Sequence, residues 1–400
     1  MRRILKNQKA LTPRLTLLLA VTSGVSVANL YYAQPLLPKL SELFHASSSS
    51  VAFVITASQI GYALGLLFLL PLGDLLKRKW LIICGVFLGA AALALLSTAH
   101  TLTLFELFSL LTGFSSVVAQ IVVPLAADLS PPHQSGKTVG TVMSGLLVGI
   151  LLARTFSGII ADALGTRAVY LIAAAVMALL GIALLQMLPD IQPKHPEGNI
   201  TTILSSTLRI FLGNKILQLR AVYGMLSFLA FTMLWTSLSF YLASSPYNYS
   251  PRTIGLFGLL GVAGALAARF TGHATDMGRV RLTTGLGGIL IIVGFAGSYI
   301  LGNHLWMLVI AIVALDAAFQ TVHISNQSVI YREMPAARSR VNSSYMTLYF
   351  VGGASGSAIA GWAWQHGGWA ATTAVGAASG ALILIIWLFD RFSMGPSAST

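Results

Sequence analysis

The sequence predicts an all-α membrane protein in which twelve transmembrane helices form two pseudo-symmetric six-helix bundles. Three observations predict this fold. Only 9% of the 400 residues are charged and 56% are hydrophobic, whereas about 25% of the residues in a soluble domain are charged. The hydrophobic residues fall into runs of about 20, the length that crosses a bilayer. Charged residues between these runs recur at an offset of about half the chain.

Twelve apolar runs are separated by charged residues, proline or turn-forming clusters, and we number them as spans 1 to 12. The predicted limits in the first half are 15–37, 49–72, 80–97, 103–127, 138–160 and 168–188. Those in the second half are 219–243, 253–271, 282–302, 305–328, 341–363 and 369–389.

Span 1 also has features of a secretory signal, because basic residues precede it and small residues lie near its end. Two observations favour a retained helix. Asn29, Tyr31, Tyr32 and Gln34 make the segment more polar than the apolar core of a signal. Its removal would also leave eleven spans and break the symmetry of the two halves.

The net charge of +13 reflects membrane topology rather than nucleic-acid binding. Nineteen of the 24 Lys and Arg residues lie in the termini and in the loops on one side, and the opposite loops carry only Lys39, Arg167 and Arg252. Short loops rich in Lys and Arg remain in the cytoplasm. We therefore expect both termini in the cytoplasm and no nucleic-acid partner.

The two halves of the chain are related by an internal repeat. Three charged positions recur at nearly one offset: Asp74 and Asp276 (202 residues), Asp128 and Glu333 (205 residues), and Lys137 and Arg340 (203 residues). The repeat predicts bundles at 1–188 and 219–400, joined by a cytoplasmic linker at 189–218 that carries a short amphipathic helix at 201–212. Repeated six-span halves with a site between them are typical of secondary transporters, which favours a carrier over a channel.

Span 10 carries the most polar helical face in the chain. Asp316, Gln320, His323 and Gln327 follow one another at offsets of 4, 7 and 11 residues, and Asn326 lies beside them. An ionisable residue within a span is a candidate functional residue, and His titrates near neutral pH. We expect Asp316, and after it His323, to bind protons or solute. A network of hydrogen bonds between helices is the structural alternative.

Span 4 has a second polar face, formed by Glu106, Ser109, Gly113, Ser116 and Gln120. Arg154 lies in span 5 at a depth that would allow it to pair with Glu106, since adjacent spans run in opposite directions. Such a pair would be structural or would contact the solute, and the sequence favours neither. A pair between Arg154 and Asp316 across the interior is a less favoured alternative.

No motif for enzymatic catalysis, metal binding or nucleotide binding is present, so we expect no enzyme, no cofactor and no metal. The single cysteine, Cys84, excludes cysteine-based metal clusters and disulfides within the chain. A phosphate-binding loop of the Walker type does not occur, so ATP is not the expected energy source.

The chain resembles the major facilitator superfamily over essentially its whole length. The signature of that family between spans 2 and 3 is Gly-x-x-x-Asp-Arg-x-Gly-Arg-Arg/Lys. Residues 70–79 read Leu-Pro-Leu-Gly-Asp-Leu-Leu-Lys-Arg-Lys, and the second copy, 272–281, reads Gly-His-Ala-Thr-Asp-Met-Gly-Arg-Val-Arg. Residues 29–35 and 323–327 resemble those of a poorly characterised bacterial inner-membrane subgroup, which implies the same location here.

The resemblance implies functional residues in two regions. A cytoplasmic gate of ion pairs maps to Asp74, Arg78, Asp128 and Arg340, with Asp276, Arg279 and Glu333 as the corresponding second-half charges. Because span 1 lines the cavity in the family, Asn29 and Tyr32 are expected to contact the solute. The remaining cavity candidates are polar residues of spans 4, 10 and 11: Ser109, Ser116, Gln120, Gln320, Asn326, Gln327 and Tyr349.

Two family features are missing. Span 4 has Ser109 four residues before Gly113, where many proton-driven members have Arg, and span 5 lacks the Gly-Pro pair of antiporters; Arg154 is a candidate replacement for the missing Arg. The expected function is proton-coupled export of a small organic solute by a monomer in the lipid bilayer. Solute uptake by symport, uncoupled facilitation and a non-transporting receptor or scaffold are the alternatives.

Overall fold

The computed structural model describes residues 12–131, 134–190, 199–334 and 338–393, and these residues form helices and no strand. Ten of the described helices are long and apolar enough to cross a membrane. Two further spans bring the number to twelve. Span 1 begins with the shorter helix Pro13–Ala28, and the long helix Arg338–Ser393 comprises two spans because Gly367 and Gly368 interrupt it.

The first half consists of spans 1 to 6. Span 1 continues from Pro13–Ala28 into a 3-10 turn, Gln34–Leu36, and the helix Leu37–Phe44. The others are span 2 (Ser48–Leu75), span 3 (Arg78–Thr98), span 4 (Leu102–Ser116 and Val118–Leu129), span 5 (Ser135–Leu164) and span 6 (Thr166–Met187).

The second half consists of spans 7 to 12 and follows the linker helix Ile200–Gly213. Its helices are span 7 (Lys215–Ala243), span 8 (Pro251–Leu256, a 3-10 segment Phe257–Gly261, and Val262–Asp276), span 9 (Val280–Ile300), span 10 (Leu305–Glu333), span 11 (338–366) and span 12 (369–393). We call the side where span 1 begins and span 12 ends the terminal side, and the opposite side the far side.

Local sequence determines where the spans begin and end on the far side. Ser47 and Thr101 accept hydrogen bonds from backbone amides three residues later, at 3.1 and 3.3 Å, and so cap spans 2 and 4. Gly165 and Gly368 have φ angles of +88° and +57°, which glycine adopts without steric cost. These glycines make the tight turns between spans 5 and 6 and between spans 11 and 12.

The twelve predicted runs correspond one to one with the observed spans, and the predicted fold class is confirmed. The helix expected in the linker is present as Ile200–Gly213, and nearly all of its side chains are exposed or half-buried. Three spans are irregular: span 1 after Ala28, span 4 at Val117, and span 8 at Phe257–Gly261. These irregularities were not predicted.

The two halves pack against each other along two pairs of spans. Spans 2 and 11 are in contact along their length: Thr56 bonds Ser357 at 2.9 Å, and Ser343 donates to the Leu66 carbonyl oxygen at 3.0 Å. Spans 5 and 8 meet on the far side, where Thr155 donates to the carbonyl oxygen of Gly255 at 3.0 Å. The interior between these contacts contains the candidate site.

Candidate functional site

Arg154, Trp235 and Asp316 form a buried cluster where the two halves meet. The guanidinium carbon of Arg154 lies 3.9 Å from the centre of the Trp235 ring. The indole Nε1 of Trp235 donates to Oδ1 of Asp316 at 3.2 Å. Each of the three side chains is at most 3% exposed. Trp235 thus lies between a cation of the first half and an anion of the second half, and these two charges also interact electrostatically.

The depth of this cluster follows from the spans that carry it. Arg154 lies ten residues before the far-side end of span 5, and Asp316 lies eleven residues after the far-side start of span 10. At 1.5 Å per residue, both are about 15–17 Å from the far side. The cluster therefore lies near the middle of the membrane, where an unpaired charge is costly.

Span 8 passes close to both charged residues because it has glycine at the points of contact. A Cβ built at Gly258 would lie 2.8 Å from the Cβ of Arg154, and one at Gly261 would lie 3.5 Å from Oδ2 of Asp316. One at Gly264 would lie 3.0 Å from the side chain of Gln320. The irregular segment of span 8 thus forms one wall of the cluster.

Gln34 and Tyr31 hold Arg154 from the first half. The Nε of Arg154 donates to Oε1 of Gln34 at 2.5 Å, and Gln34 is fully buried in the 3-10 turn after span 1. The Tyr31 ring lies 4.9 Å from the guanidinium carbon, and the Phe231 ring lies 5.7 Å from it. Contact with three aromatic rings is favourable for a desolvated guanidinium.

His323 lies about 10 Å further toward the terminal side, seven residues after Asp316 on span 10. Its Nδ1 is 3.0 Å from the hydroxyl oxygen of Tyr345, and its ring centre is 4.6 Å from that of Tyr349. Asn326 is buried beside the Tyr345 hydroxyl. Gln320, His323, Gln327 and Tyr349 are half-buried. The predicted polar face of span 10 therefore points into the interior.

Aromatic side chains from both halves line the same interior. Tyr62 packs against Phe350 with ring centres 4.2 Å apart, and Phe228 stacks on Tyr349 at 4.0 Å. Together with the rings already described, they form a continuous set of aromatic contacts: Tyr62, Phe228, Phe231, Trp235, Phe319, Tyr345, Tyr349 and Phe350. Tyr31 joins this set through Arg154. Such a surface suits a flat, apolar ligand.

The polar face predicted on span 4 packs mainly against span 2. A Cβ at Gly113 would lie 1.9 Å from the carbonyl oxygen of Ser58, so the two helices are in backbone contact there. Ser109 and Ser116 are buried and donate to carbonyl oxygens of their own helix at 2.8 and 2.7 Å. Only Gln120, which lies near the Tyr62 hydroxyl, approaches the aromatic interior.

The suggested pair of Glu106 with Arg154 is wrong. Arg154 bonds Gln34, and Glu106 has no ion pair within the part of the chain that the structure describes. Glu106 is half-buried one turn into span 4, whereas Arg154 points into the interior toward Trp235 and Asp316. The less favoured alternative placed Arg154 with Asp316: these two charges interact electrostatically, but they form no direct ion pair among the described residues, because Trp235 lies between them.

Tyr32 does not lie beside Arg154, whereas Tyr31, the residue before it, does. Tyr32 lines an apolar groove of about 490 Å³ between spans 1, 5 and 6. The groove is also lined by exposed apolar residues, among them Leu17, Val148 and Phe156, so it opens toward lipid. Asn29 is buried, and its side-chain amide has no hydrogen-bond partner in the described part of the chain.

The terminal side contains part of the predicted gate. Arg78 and Asp128 form an ion pair of 2.7 Å, and Lys77 pairs with Asp190 at 2.9 Å. Arg340 bonds Ser206 of the linker helix at 3.2 Å and forms no ion pair among the described residues. The side chain of Asp74 lies outside the described part of the structure. Three further predicted gate residues are exposed: Asp276, Arg279 and Glu333.

Backbone contact between spans 5 and 8 closes the far side. A Cβ built at Gly158 would lie 2.3 Å from the Pro251 carbonyl oxygen, and one at Gly255 would lie 2.4 Å from that of Arg154. Toward the terminal side the same spans offer more room. A Cβ built at Gly140 of span 5 or at Gly272 of span 8 would meet no atom within 4 Å.

Three residues of the site were not selected from the sequence: Tyr31, Gln34 and Trp235. Aromatic residues near the ends of spans are usually interfacial, which made Trp235 unremarkable among the aromatic residues of span 7. The described residues contain no group of three His, Cys, Asp or Glu side chains that could hold a metal ion.

Relatives of this chain are transporters. An uncharacterized transporter, YgaY, of Escherichia coli O157:H7 is 46% identical over 382 residues, which cover 96% of this chain and 97% of the relative. A probable transporter of Streptomyces coelicolor is 32% identical over 380 residues, which cover 92% of this chain and 85% of the relative.

Solved structures with the same fold include a mutant of the nucleoside transporter NupG, with a TM-score of 0.74, 15% identity and coverage of 93% of this chain and 98% of the other. A bacterial homologue of the lysosomal transporter Spinster, in an inward-facing and occupied conformation, has a TM-score of 0.73, 12% identity and 94% coverage of both chains. At these identities the likeness shows the fold alone.

The family profile of the Major Facilitator Superfamily matches residues 19–296 and 221–397. The matched residues include almost all of both halves. The chain therefore belongs to the Major Facilitator Superfamily and is a membrane transporter.

Proposed function

We propose that this transporter is proton-coupled and that Asp316 is its protonation site. The supporting observation is the position of Asp316, which is the only buried acidic residue among those that the structure describes. Its carboxylate faces the interior between the halves and interacts with Arg154 of the opposite half. A charge in this position is expensive unless it is paired, so gain or loss of its proton changes the interaction between the halves.

Alternating access then takes place by rocking of the bundles 1–188 and 219–400, connected by the linker 189–218. The close contact of Gly158 with Pro251 closes one side. On the other side the ion pair of Arg78 with Asp128 holds spans 3 and 4 of the first half together beside the gate. The transporter works as a monomer in the bacterial inner membrane with both termini in the cytoplasm, as the distribution of Lys and Arg favours.

The direction of transport depends on how the solute and the proton interact at the site. Export by antiport is the direction expected from the sequence, and it requires solute and proton to compete. Uptake by symport requires them to bind together. The arrangement of Arg154 and Asp316 favours the symport alternative, because a proton on Asp316 frees Arg154 for another partner.

Purified protein in proteoliposomes that contain a pH-sensitive dye tests proton coupling. A panel of organic anions, organic cations and neutral solutes is added outside, and the internal pH is recorded. We expect at least one class to change the internal pH, and we expect Asp316→Asn to abolish that change. Asp162→Asn, the same substitution at an exposed position of span 5, is the control. Solute flux without proton movement would contradict the proposal.

A further inference from the structure

Two buried hydrogen-bond donors of the bonded pair Arg154 and Gln34 have no acceptor among the residues that the structure describes. They are Nη2 of Arg154 and Nε2 of Gln34, on side chains that are 2% and 0% exposed. Buried donors are nearly always paired in proteins, because an unpaired donor costs about 1–3 kcal/mol. Two of them on a pair of bonded side chains indicate that this place accepts a ligand with acceptor oxygens.

The assignment of these atoms as donors follows from their chemistry. Arginine has donors and no acceptor, so the atom of Gln34 that bonds Nε of Arg154 must be the amide oxygen. The amide nitrogen of Gln34 is then the free end of that side chain. On the guanidinium, Nε and Nη2 share one edge of the planar fork. Gln34 occupies only the Nε end of that edge.

The charges around the site favour an anion over a cation. Asp316, the acid, already accepts a hydrogen bond from Trp235 and interacts with Arg154. A cation bound to Asp316 would therefore be placed next to a buried positive charge. An anion bound to Arg154 would instead accept hydrogen bonds from the two donors that lack partners. The rings of Tyr31, Phe231 and Trp235 surround the same guanidinium and offer an apolar surface to the rest of the ligand.

We propose that the solute is an organic anion with an apolar or aromatic body, and that its anionic group binds Arg154 and Gln34. This inference rests on the proposed function for transport and adds the charge of the solute and the residues that recognise it. The rings around Arg154 hold the body of the solute. Nη2 of Arg154 and Nε2 of Gln34 would each donate to an oxygen of a carboxylate or sulfonate group, and the bond from the charged guanidinium is the stronger of the two.

The same geometry couples the anion to the proton. The groups that face Asp316 from neighbouring spans are Arg154 and Trp235, and the titratable groups next to Arg154 are Asp316 and Tyr31. When Asp316 is ionised, it competes with the anion for Arg154. When Asp316 is protonated, that competition ends. Proton binding and anion binding therefore strengthen each other by the same factor, and the two are transported together as a neutral pair.

Calorimetric titration of the purified protein tests the anion site with three probes of similar size. Benzenesulfonate is an anion at every working pH, benzyltrimethylammonium is a cation, and benzamide is neutral. We expect benzenesulfonate to bind at least about tenfold more tightly than the other two, the factor that one charged hydrogen bond supplies. Its affinity should rise as the pH falls, and Asp316→Asn should remove this dependence.

Three variants separate recognition from folding. Gln34→Glu keeps the size of the side chain and places a competing carboxylate beside Arg154, so we expect it to weaken benzenesulfonate binding by about tenfold or more. Arg154→Lys keeps the charge and loses the planar fork, and we expect it to weaken benzenesulfonate binding as well. Arg220→Gln removes another buried arginine, 7% exposed, fifteen residues from Trp235 along span 7, and should leave the affinity unchanged.

Four outcomes distinguish this inference from the proposed function. Benzenesulfonate binding that is unchanged in both Gln34→Glu and Arg154→Lys would overturn the anion site. Tighter binding of the cation than of the anion would also overturn the anion site. In that case, proton-coupled flux of the cation that depends on Asp316 would still support the proposed function. Anion binding that depends on Arg154, without flux in proteoliposomes, would support the site and contradict the proposed function. Anion-evoked acidification that is independent of membrane potential would support both.

Discussion

The guanidinium of Arg154 stacks on the indole of Trp235 at 3.9 Å, and this contact joins the two halves of the transporter. Trp235 also donates a hydrogen bond to Asp316. One side chain therefore contacts both buried charges in the middle of the membrane. We expect movement of span 7 relative to span 5 to break this stack, so that the two charges are stabilised differently in the two states of the transport cycle.

The two contacts of Trp235 can be separated by substitution. Trp235→Phe keeps a ring for Arg154 and loses the indole N–H, whereas Trp235→Leu loses both contacts. We expect kcat/KM for the transported solute to fall about tenfold for Phe, since a hydrogen bond to a charged group contributes about 1.5–3 kcal/mol. Leu should cause a larger loss, because a desolvated cation–π contact adds about 2 kcal/mol.

Initial rates of uptake into proteoliposomes at several solute concentrations measure this effect. Trp306→Phe is the matched control, because Trp306 of span 10 is 77% exposed on the outer surface of the bundle. Equal rates in Trp235→Phe and the wild type would show that the hydrogen bond from the indole N–H to the Asp316 carboxylate does not contribute to transport.

Close packing at Gly158 should determine how tightly the far side closes. Gly158→Ala places a methyl group 2.3 Å from the Pro251 carbonyl oxygen, so spans 5 and 8 must move apart. We expect a shift toward the state in which the far side is open. Gly140→Ala is the control, since its methyl group meets no atom within 4 Å.

The rate of maleimide labelling of Thr155→Cys in detergent, with Cys84 replaced by Ser, reports this opening. The Thr155 side chain bonds Gly255 in the closed contact, so its replacement should be labelled severalfold faster in Gly158→Ala than in Gly140→Ala. Identical labelling rates in these two backgrounds would contradict the role of the glycine contact.

The ion pair between Arg78 and Asp128 should matter more for transport than for stability. Its side chains are 11% and 36% exposed, and pairs this close to solvent stabilise a protein by about 0–1 kcal/mol. We expect Asp128→Asn to lower the melting temperature little and to reduce the transport rate several-fold. Glu42→Gln breaks an exposed ion pair of 2.8 Å with Lys39 on the far side and serves as the control. A transport rate in Asp128→Asn equal to that of the control would show that this ion pair has no role in the gate.

His323 should contact the solute without carrying the coupled proton. Its ring is bonded to Tyr345 and packs against Tyr349, and its contacts in the described structure include no acidic residue. We expect His323→Gln to change the apparent solute affinity by a few-fold and to leave the ratio of protons to solute unchanged. Simultaneous recording of internal pH and radiolabelled solute gives this ratio. Loss of proton flux with retained solute flux would assign the coupling to His323 instead of Asp316.

Most of the fold could be predicted from the sequence, because a helix that crosses a bilayer needs about 20 apolar residues whatever its neighbours are. The same argument explains why Asp316 was identified. A charge in the middle of a span must face the protein interior, and the interior here is the space between the halves. The polar residues that follow Asp316 at helical spacing then had to share its direction.

The orientation of span 1 could not be predicted, since its helix ends at Ala28. Residues 29–36 make hydrogen bonds between positions i and i+3, which turn the chain by about 120° per residue instead of 100°. Extrapolating the α-helical period through this segment selects Tyr32, whereas the tighter turn brings Tyr31 and Gln34 to Arg154. The polar face of span 4 was misleading for a different reason, because Gly113 lets span 2 cover it.

The 3-10 segment Phe257–Gly261 makes span 8 adjustable in length. Five residues rise about 10 Å in a 3-10 helix and about 7.5 Å in an α-helix, so rewinding this segment shortens span 8 by about 2.5 Å. Gly255 lies before the segment and contacts span 5, whereas Gly264 lies after it and contacts span 10. We therefore expect span 8 to change its length during the transport cycle, so that Gly255 moves away from span 5 while the contact beside Asp316 stays in place.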